Sequence, residues 1–319
     1  MLMAASTTRP SSLRRSAGAL ALGVGLLLAG LQPAHAQSAA GSAPDDGFSE
    51  LPRSEQDQKL QEQGLTRDDL AREDALKKLR SSTDTDFYST PAQLPAANGG
   101  VVRSEPSTFY LDPVKLIKPN ASATRIMYRS TNSKNQAVAT TGTVLQSKAA
   151  WRKPGPRPLV VLSSGTQGMG DSCAPSRQMA MGTNYEGLSL AGLINAGYNV
   201  VAPDYIGLGT DGAHTYMNRV DQAHAVLDAV RGAQQLGMEG VDAKTPVAAV
   251  GYSQGGGATA AAAESAPEYA PEVQLKSAWV GAPPADLTLT GQHIDSSLFS
   301  GLSFYVMGAA AVSYTHLTL

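Results

Sequence analysis

Residues 251 to 257 read Gly-Tyr-Ser-Gln-Gly-Gly-Gly, directly after the apolar run Val247-Ala248-Ala249-Val250 and just before an alanine-rich stretch. An apolar strand that turns through G-x-S-x-G into a helix is the setting of a nucleophile elbow. The chemistry demands this spacing because the serine must occupy a strained backbone conformation at a very tight turn. Side chains at Gly251, Gly255 and Gly256 would collide there with the adjoining strand or helix, and Tyr252 fills the free position before the serine. Ser253 is thereby predicted to project its hydroxyl above the edge of a sheet, where it can attack a carbonyl carbon. The N-terminus of the following helix leaves the Gln254 N–H free to donate to the oxyanion that develops.

Such a site needs a second oxyanion donor, and the loop after an earlier buried strand is the expected source. Ser163-Ser164-Gly165-Thr166-Gln167-Gly168 stands in that place, after Leu159-Val160-Val161-Leu162. The Thr166 or the Gln167 N–H would complete the hole. A rival motif, Gly207-Leu208-Gly209-Thr210-Asp211-Gly212, satisfies G-x-G-x-x-G. A dinucleotide site also needs a helix opening within the glycines and an acid closing the next strand. Here Asp211-Gly212 reads as a turn, and Asp228 falls inside a helical pattern. Asp204 is expected to brace its loop through backbone N–H groups. No metal is expected either, since His35, His214, His224, His293 and His316 are dispersed, there is one cysteine, and H-E-x-x-H and Walker A are absent. The reading therefore includes no cofactor.

The elements that must carry these residues follow from periodicity. Short β-type runs at 123–130, 137–145 and 158–163 are followed by a helix at 185–196, a strand at 198–202 and a helix at 219–236. A strand at 246–250, a helix at 255–264 and a strand at 274–280 complete the series. Buried strands alternating with helices predict an α/β fold with a mostly parallel sheet. Upstream, residues 37–85 are polar, with a charged helix expected over 67–80 on a flexible lead-in.

Composition narrows the function classes. Of 319 residues 42% are hydrophobic and 16% charged, a balance that excludes a mainly disordered chain. The net charge is −2, and no Lys/Arg-rich stripe is available to neutralise phosphates, so neither nucleic acid nor an anionic membrane surface is an expected partner. Arg9, Arg14 and Arg15 precede an uncharged run at 17–31 and then Ala34-His35-Ala36, a small-x-small cleavage signal. Residues 1–36 are read as a signal peptide cleaved after Ala36, which makes the protein secreted or periplasmic. The run falls short of the roughly 20 residues a transmembrane anchor needs. In an oxidising compartment the lone Cys173 implies an absent partner or a free thiol.

Five ordered motifs carry a resemblance. They are Asp86-Phe87-Tyr88-x-x-Pro91, Gly165-Thr166-Gln167-Gly168-x-Gly170-Asp171-x-Cys173-Ala174-Pro175-Ser176, Pro203-Asp204-Tyr205-x-Gly207-Leu208-Gly209, Gly251 to Gly256, and Gly281-Ala282-Pro283-Pro284-Ala285-Asp286-Leu287. Together they make residues 86–287 similar to the secretory lipases of the α/β-hydrolase superfamily, bacterial relatives of the fungal lipase A type. The resemblance implies that Ser253 is an acylating nucleophile for carboxylic esters, acylglycerols included, and that residues 288–311 begin a cap over the acyl site. It also implies a triad in the order Ser, Asp/Glu, His, with acid and base after two further strands. Downstream of Ser253 only His293, read as a surface-loop residue, and His316, in a strand-like run at 312–319, remain; Asp286 is the one early candidate acid. The triad acid and base are accordingly expected to be absent, and the chain is read as a fragment short of roughly 100 residues. Residues 312–319 resemble a translated adapter and are read as a non-native tail. The Cys173 disulfide partner is expected in the missing portion. A serine peptidase or an acyltransferase on the same fold is the rival activity, and an inactive, non-catalytic hydrolase-fold protein is the rival class.

Overall fold

Leu159–Ser163 and Asn199–Pro203 are buried along their whole length, as continuous apolar runs require when a strand is covered on both faces. They lie near the centre of a seven-stranded sheet. The computed structural model describes residues 52–62, 66–68, 86–295, 297 and 300–313. The chain divides into two units, Met1–Thr66 and Arg67–Leu319. In the first, helix α1 (Arg53–Glu62) carries Glu55 in its first turn and Lys59 in its last, each at the end where the helix dipole favours its sign. This charged helix lies upstream of the expected one. Of the stretch 67–80 only Arg67 and Asp68, both helical, are described, and the signal-peptide reading at 1–36 lies outside the described residues.

In the second unit the strands are β1 (Val101–Ser107), β2 (Ala121–Thr131), β3 (Ala137–Ser147), β4 (Leu159–Ser163), β5 (Asn199–Pro203), β6 (Val247–Tyr252) and β7 (Leu275–Gly281). The helices are α2 (Pro175–Met181), α3 (Gly187–Asn195), α4 (Arg219–Gln234), α5 (Gln254–Tyr269), α6 (Leu287–Asp295) and α7 (Gly301–Ser313). The sheet order is β1-β2-β3-β5-β4-β6-β7. Parallel pairing, expected for most of the sheet, is confined to β5-β4-β6-β7; β1, β2 and β3 run antiparallel to their neighbours, so the sheet is mixed. The cause is the connection. β2 and β3 are joined by a tight turn in which Asn132 accepts from Lys134 N and Gln136 N, whereas each parallel pair is bridged by helices. β1 carries Pro106 and lies at the sheet edge, the place where a strand tolerates a missing N–H.

Side-chain alternation along the strands divides the core. Leu159, Val161 and Val201 point to the face covered by α4 and α5, against Val226, Val230, Ala258 and Ala262. Val160, Leu162 and Val200 point the other way, onto Met179 of α2 and Leu190 and Ile194 of α3. Each such aliphatic side chain stabilises the fold by about 1.5–3 kcal/mol when fully buried. Helix α4 begins where the Asn218 side chain accepts from Val220 N and Asp221 N, both at 3.1 Å.

This topology places a switch point at the C-terminal ends of β4 and β6. The crossover after β4 leads to β5 on one side, and the crossover after β6 leads to β7 on the other. Their loops diverge and leave a crevice, the position where ligands bind in open α/β sheets. Beyond β7, the run at 312–319 was expected to be extended, but Val312 and Ser313 continue α7 because the preceding Ala309-Ala310-Ala311 propagates the helix; the remainder lies outside the described residues.

Candidate functional site

At the end of β6, Ser253 adopts φ 58° and ψ −121°, a left-handed conformation that is strained for a residue with a side chain. Backbone bonds hold it there: Ser253 N–H donates to the Gly281 carbonyl at 3.0 Å and Gly257 N–H donates to the Ser253 carbonyl at 3.1 Å. The neighbouring glycines are obligatory. A Cβ on Gly251 would overlap the Gly255 carbonyl, one on Gly255 the Ser163 carbonyl, and one on Gly256 the Gly281 carbonyl. The elbow is therefore wedged between β4, β6 and β7. Ser253 is exposed, Tyr252 beside it is 58% exposed, and Gln254 is buried at the start of α5.

The loop after β4 runs alongside. Gly165 lies under the Tyr185 hydroxyl and next to the Tyr252 carbonyl, so the predicted loop and the predicted elbow are brought together. Among the described residues the N–H groups of Thr166, Gln167 and Gln254 donate to no protein acceptor. Side chains behind the loop fix its course. Glu186 accepts from Gly165 N and from Gln167 Nε2, both at 3.2 Å, and burial pushes its carboxyl above the usual range although those bonds pull it down. The Thr166 Oγ1 is 2.7 Å from the Tyr216 hydroxyl, and the Tyr205 hydroxyl donates to the Ser164 carbonyl at 2.7 Å. Cys173 packs its Sγ against Gly168, whose φ of 133° admits no side chain comfortably.

His214 was missed by sequence reasoning. It is buried, its Nδ1 lies 3.1 Å from the Ile206 carbonyl, and its Nε2 lies 3.3 Å from the Gln254 Nε2. With Nδ1 as donor and Nε2 accepting from the Gln254 amide, the ring is neutral, and burial holds its basicity below the ordinary value. It anchors the residue after Ser253. Asp204 braces a different loop from the one expected. It accepts from Ser176 N (2.7 Å), Ser176 Oγ (2.5 Å) and Thr141 Oγ1 (2.6 Å), tying the start of α2 to β3. Burial raises its carboxyl to about 6 in spite of those donors.

The remaining candidates separate from the elbow. His293 belongs to α6 rather than a loop, because its Nδ1 pairs with the Leu289 carbonyl one turn back at 2.8 Å; it is exposed. Asp286 caps that helix by accepting from Leu289 N at 2.9 Å. His316 lies outside the described residues. Among the described residues no hydrogen bond reaches the Ser253 hydroxyl, and no group of three His, Cys, Asp or Glu side chains is arranged to hold a metal ion. The G-x-G-x-x-G segment is a turn: Gly207, Gly209 and Gly212 have φ of 70°, 88° and 98°, and the next helix opens only at Arg219. Asp228 lies within α4, where it accepts from Ser130, Tyr269 and Arg231. No described helix is long and apolar enough to cross a membrane.

Comparison with known proteins gives a consistent answer. A Mycobacterium tuberculosis protein named as a probable inactive lipase is 33% identical over 241 residues, covering 73% of this chain and 52% of that protein. Lipase 7 of Candida albicans is 26% identical over the same length, with 73% and 55% covered. The chain thus spans about half the length of these relatives. The closed-state crystal structure of Candida antarctica lipase A superposes with a TM-score of 0.61 at 23% identity, over 73% of this chain and 53% of that one. The rice cell wall degrading esterase of Xanthomonas oryzae gives 0.56 at 22% identity, over 70% and 62%. Both structures share the α/β-hydrolase fold. The profile of the secretory lipases matches residues 173–319, and with these relatives it makes the chain similar to the secretory lipases.

Proposed function

We propose that the protein is a secreted serine ester hydrolase acting on carboxylic esters, acylglycerols among them, through an acyl-enzyme on Ser253. One observation carries the reading: the strained, exposed Ser253 ends β6 at the topological switch point, against the β4 loop whose Gly165 lies next to the Tyr252 carbonyl, and the N–H groups of Gln254, Thr166 and Gln167 make no hydrogen bond among the described residues. In this mechanism Ser253 Oγ attacks the ester carbonyl and gives up its proton to a base. The carbonyl oxygen takes the negative charge and is stabilised by Gln254 N–H together with Thr166 or Gln167 N–H. Collapse of the tetrahedral adduct expels the alcohol, which recovers the proton, and water then attacks the acyl-serine to release the acid. The triad acid and base come from outside the described residues. Helices α6 and α7 begin the cap, and residues 1–36 direct export.

A second reading is favoured by the unpartnered Ser253 hydroxyl and by the name of the mycobacterial relative: a hydrolase-fold protein that binds esters without turning them over. Loss of the His base alone costs about 10⁴ or more in rate. Reaction of the purified full-length protein, triad acid and base included, with a fluorophosphonate, followed by peptide mass mapping, separates the two. The ester-hydrolase reading expects an adduct on Ser253, hydrolysis of p-nitrophenyl butyrate but not of the matching anilide, and loss of both adduct and hydrolysis in Ser253→Ala. An unlabelled Ser253 with no ester hydrolysis rejects it in favour of the binding protein. N-terminal sequencing of exported protein should begin at Gln37.

A further inference from the structure

Tyr216 stands at the junction of two regions that the mechanism treats separately. Its hydroxyl is 2.7 Å from Thr166 Oγ1, on the loop that supplies the second oxyanion donor. Its ring meets that of Tyr305, on α7, edge to face at a centroid distance of 5.8 Å and 86° between planes. The same side chain lines a cavity of about 300 Å³ whose other walls include Leu287 and Ile294 of α6 and Leu302, Val306 and Met307 of α7. A side chain that is 5% exposed, hydrogen-bonded at its tip and held by edge contacts with the Tyr305 and His214 rings, the latter at a centroid distance of 6.0 Å, has one rotamer available unless one of these partners moves. Displacement of Tyr305 is therefore felt at Thr166.

From this we infer that Tyr216 is a positioning and specificity-determining residue: it links occupancy of the apolar cavity between α6 and α7 by the acyl chain of the ester to the setting of the Thr166 side of the oxyanion hole. The inference rests on the ester-hydrolase reading for the identity of the occupant. A chain that fills the cavity presses α7 and Tyr305 onto the Tyr216 ring, which holds the hydroxyl on Thr166 and orders residues 164–170. An ester whose acyl group is too short to enter leaves that loop as it is in the free protein. Acyl-chain preference then arises partly in the oxyanion hole and not only from contact area in the cavity.

Hydrogen exchange read by mass spectrometry tests this without relying on turnover, with decanoate below its micelle concentration as the probe. In the wild-type chain decanoate should slow exchange in peptides covering 287–295 and 301–309 and also, by about fivefold, in the peptide covering 164–170; fivefold is the effect of one hydrogen bond of ordinary strength. Tyr216→Phe keeps the ring and deletes the hydroxyl, so protection of the two helices should persist while that of the loop is lost. Thr166→Val should give the same result from the other side, and the double variant should be no worse than either single one. Loop protection retained in either variant, or decanoate that protects neither helix in the wild type, overturns the inference. Fluorophosphonate labelling of the same preparations reports separately on Ser253: a labelled serine with an uncoupled loop refutes the linkage alone, and an unlabelled serine with a coupled loop refutes the hydrolase alone.

Discussion

Asp204 makes stability depend on pH in a direction opposite to that of most carboxylates. Its side chain is fully buried, and burial raises its pKa from 3.8 to about 6 although three groups donate to it. The folded state therefore holds a proton on this group at pH values where the unfolded chain has released it. Stability from this source is fully present below pH 3.8 and is lost as pH rises through about 6. The difference of roughly two pKa units corresponds to about 3 kcal/mol between pH 4 and pH 7 as an upper bound. The perturbation is Asp204→Asn, which removes the titration. Because the amide also places an N–H₂ group among donors, the variant is less stable at every pH, and the informative quantity is slope rather than level. Urea unfolding at pH 4, 5, 6 and 7 should show wild type losing stability relative to the variant as pH rises, most steeply between about pH 4 and 6. A wild-type-minus-variant difference that is flat, or that grows with pH, refutes the assignment of a raised carboxyl at this site.

The elbow and its neighbours give three further expectations. Gly255→Ala drives a methyl group into the Ser163 carbonyl, and because backbone lies on both sides the cost should reach the upper end of the overpacking range, about 3 kcal/mol, or prevent folding; thermal and urea melts decide this. Asn218→Ala removes the acceptor of two N–H groups at the start of α4 and should cost about 1 kcal/mol in urea unfolding with an unchanged m-value. Ser253→Gly should abolish fluorophosphonate labelling and at the same time raise stability by about 1 kcal/mol, since glycine adopts φ 58°, ψ −121° without the penalty a side chain incurs there. A Ser253→Gly variant that is less stable than wild type would count against strain at this position.

Where a residue's role depends on local sequence, the sequence discloses it. The elbow was legible because a strand, a serine and three glycines are contiguous, and each glycine answers to a collision with a particular carbonyl. The Thr166 loop was legible through its position after a wholly apolar strand. The strand at 101–107 was not, because Pro106 speaks against a strand and only its edge position reconciles the two. Helix α2 was also missed: seven residues give too few turns for periodicity, and Pro175 at its first turn was the available sign. Glu186, His214 and Tyr216 carry no motif at all. They come from three different segments and acquire meaning only once β4 and β6 lie side by side, because what they position is backbone belonging to other elements.

That dependence explains how the strained serine persists. The φ of 58° at Ser253 is not maintained by its own side chain, which makes no capping bond to α5. It is maintained by the Gly281 carbonyl at the end of β7, by the first turn of α5, and by the Ser163 carbonyl that closes off Gly255. The strands β4 and β7, which flank β6, therefore each contribute one backbone contact to the elbow, and their register on β6 fixes both together. A register slip in any one of them would release the strain and move the hydroxyl. The alternation that buries Val161 on one face and Leu162 on the other makes such a slip costly, because every side chain of the strand would change faces. The apolar pattern of the central strands thus determines more than the core: it holds Ser253 in its strained conformation at the end of β6.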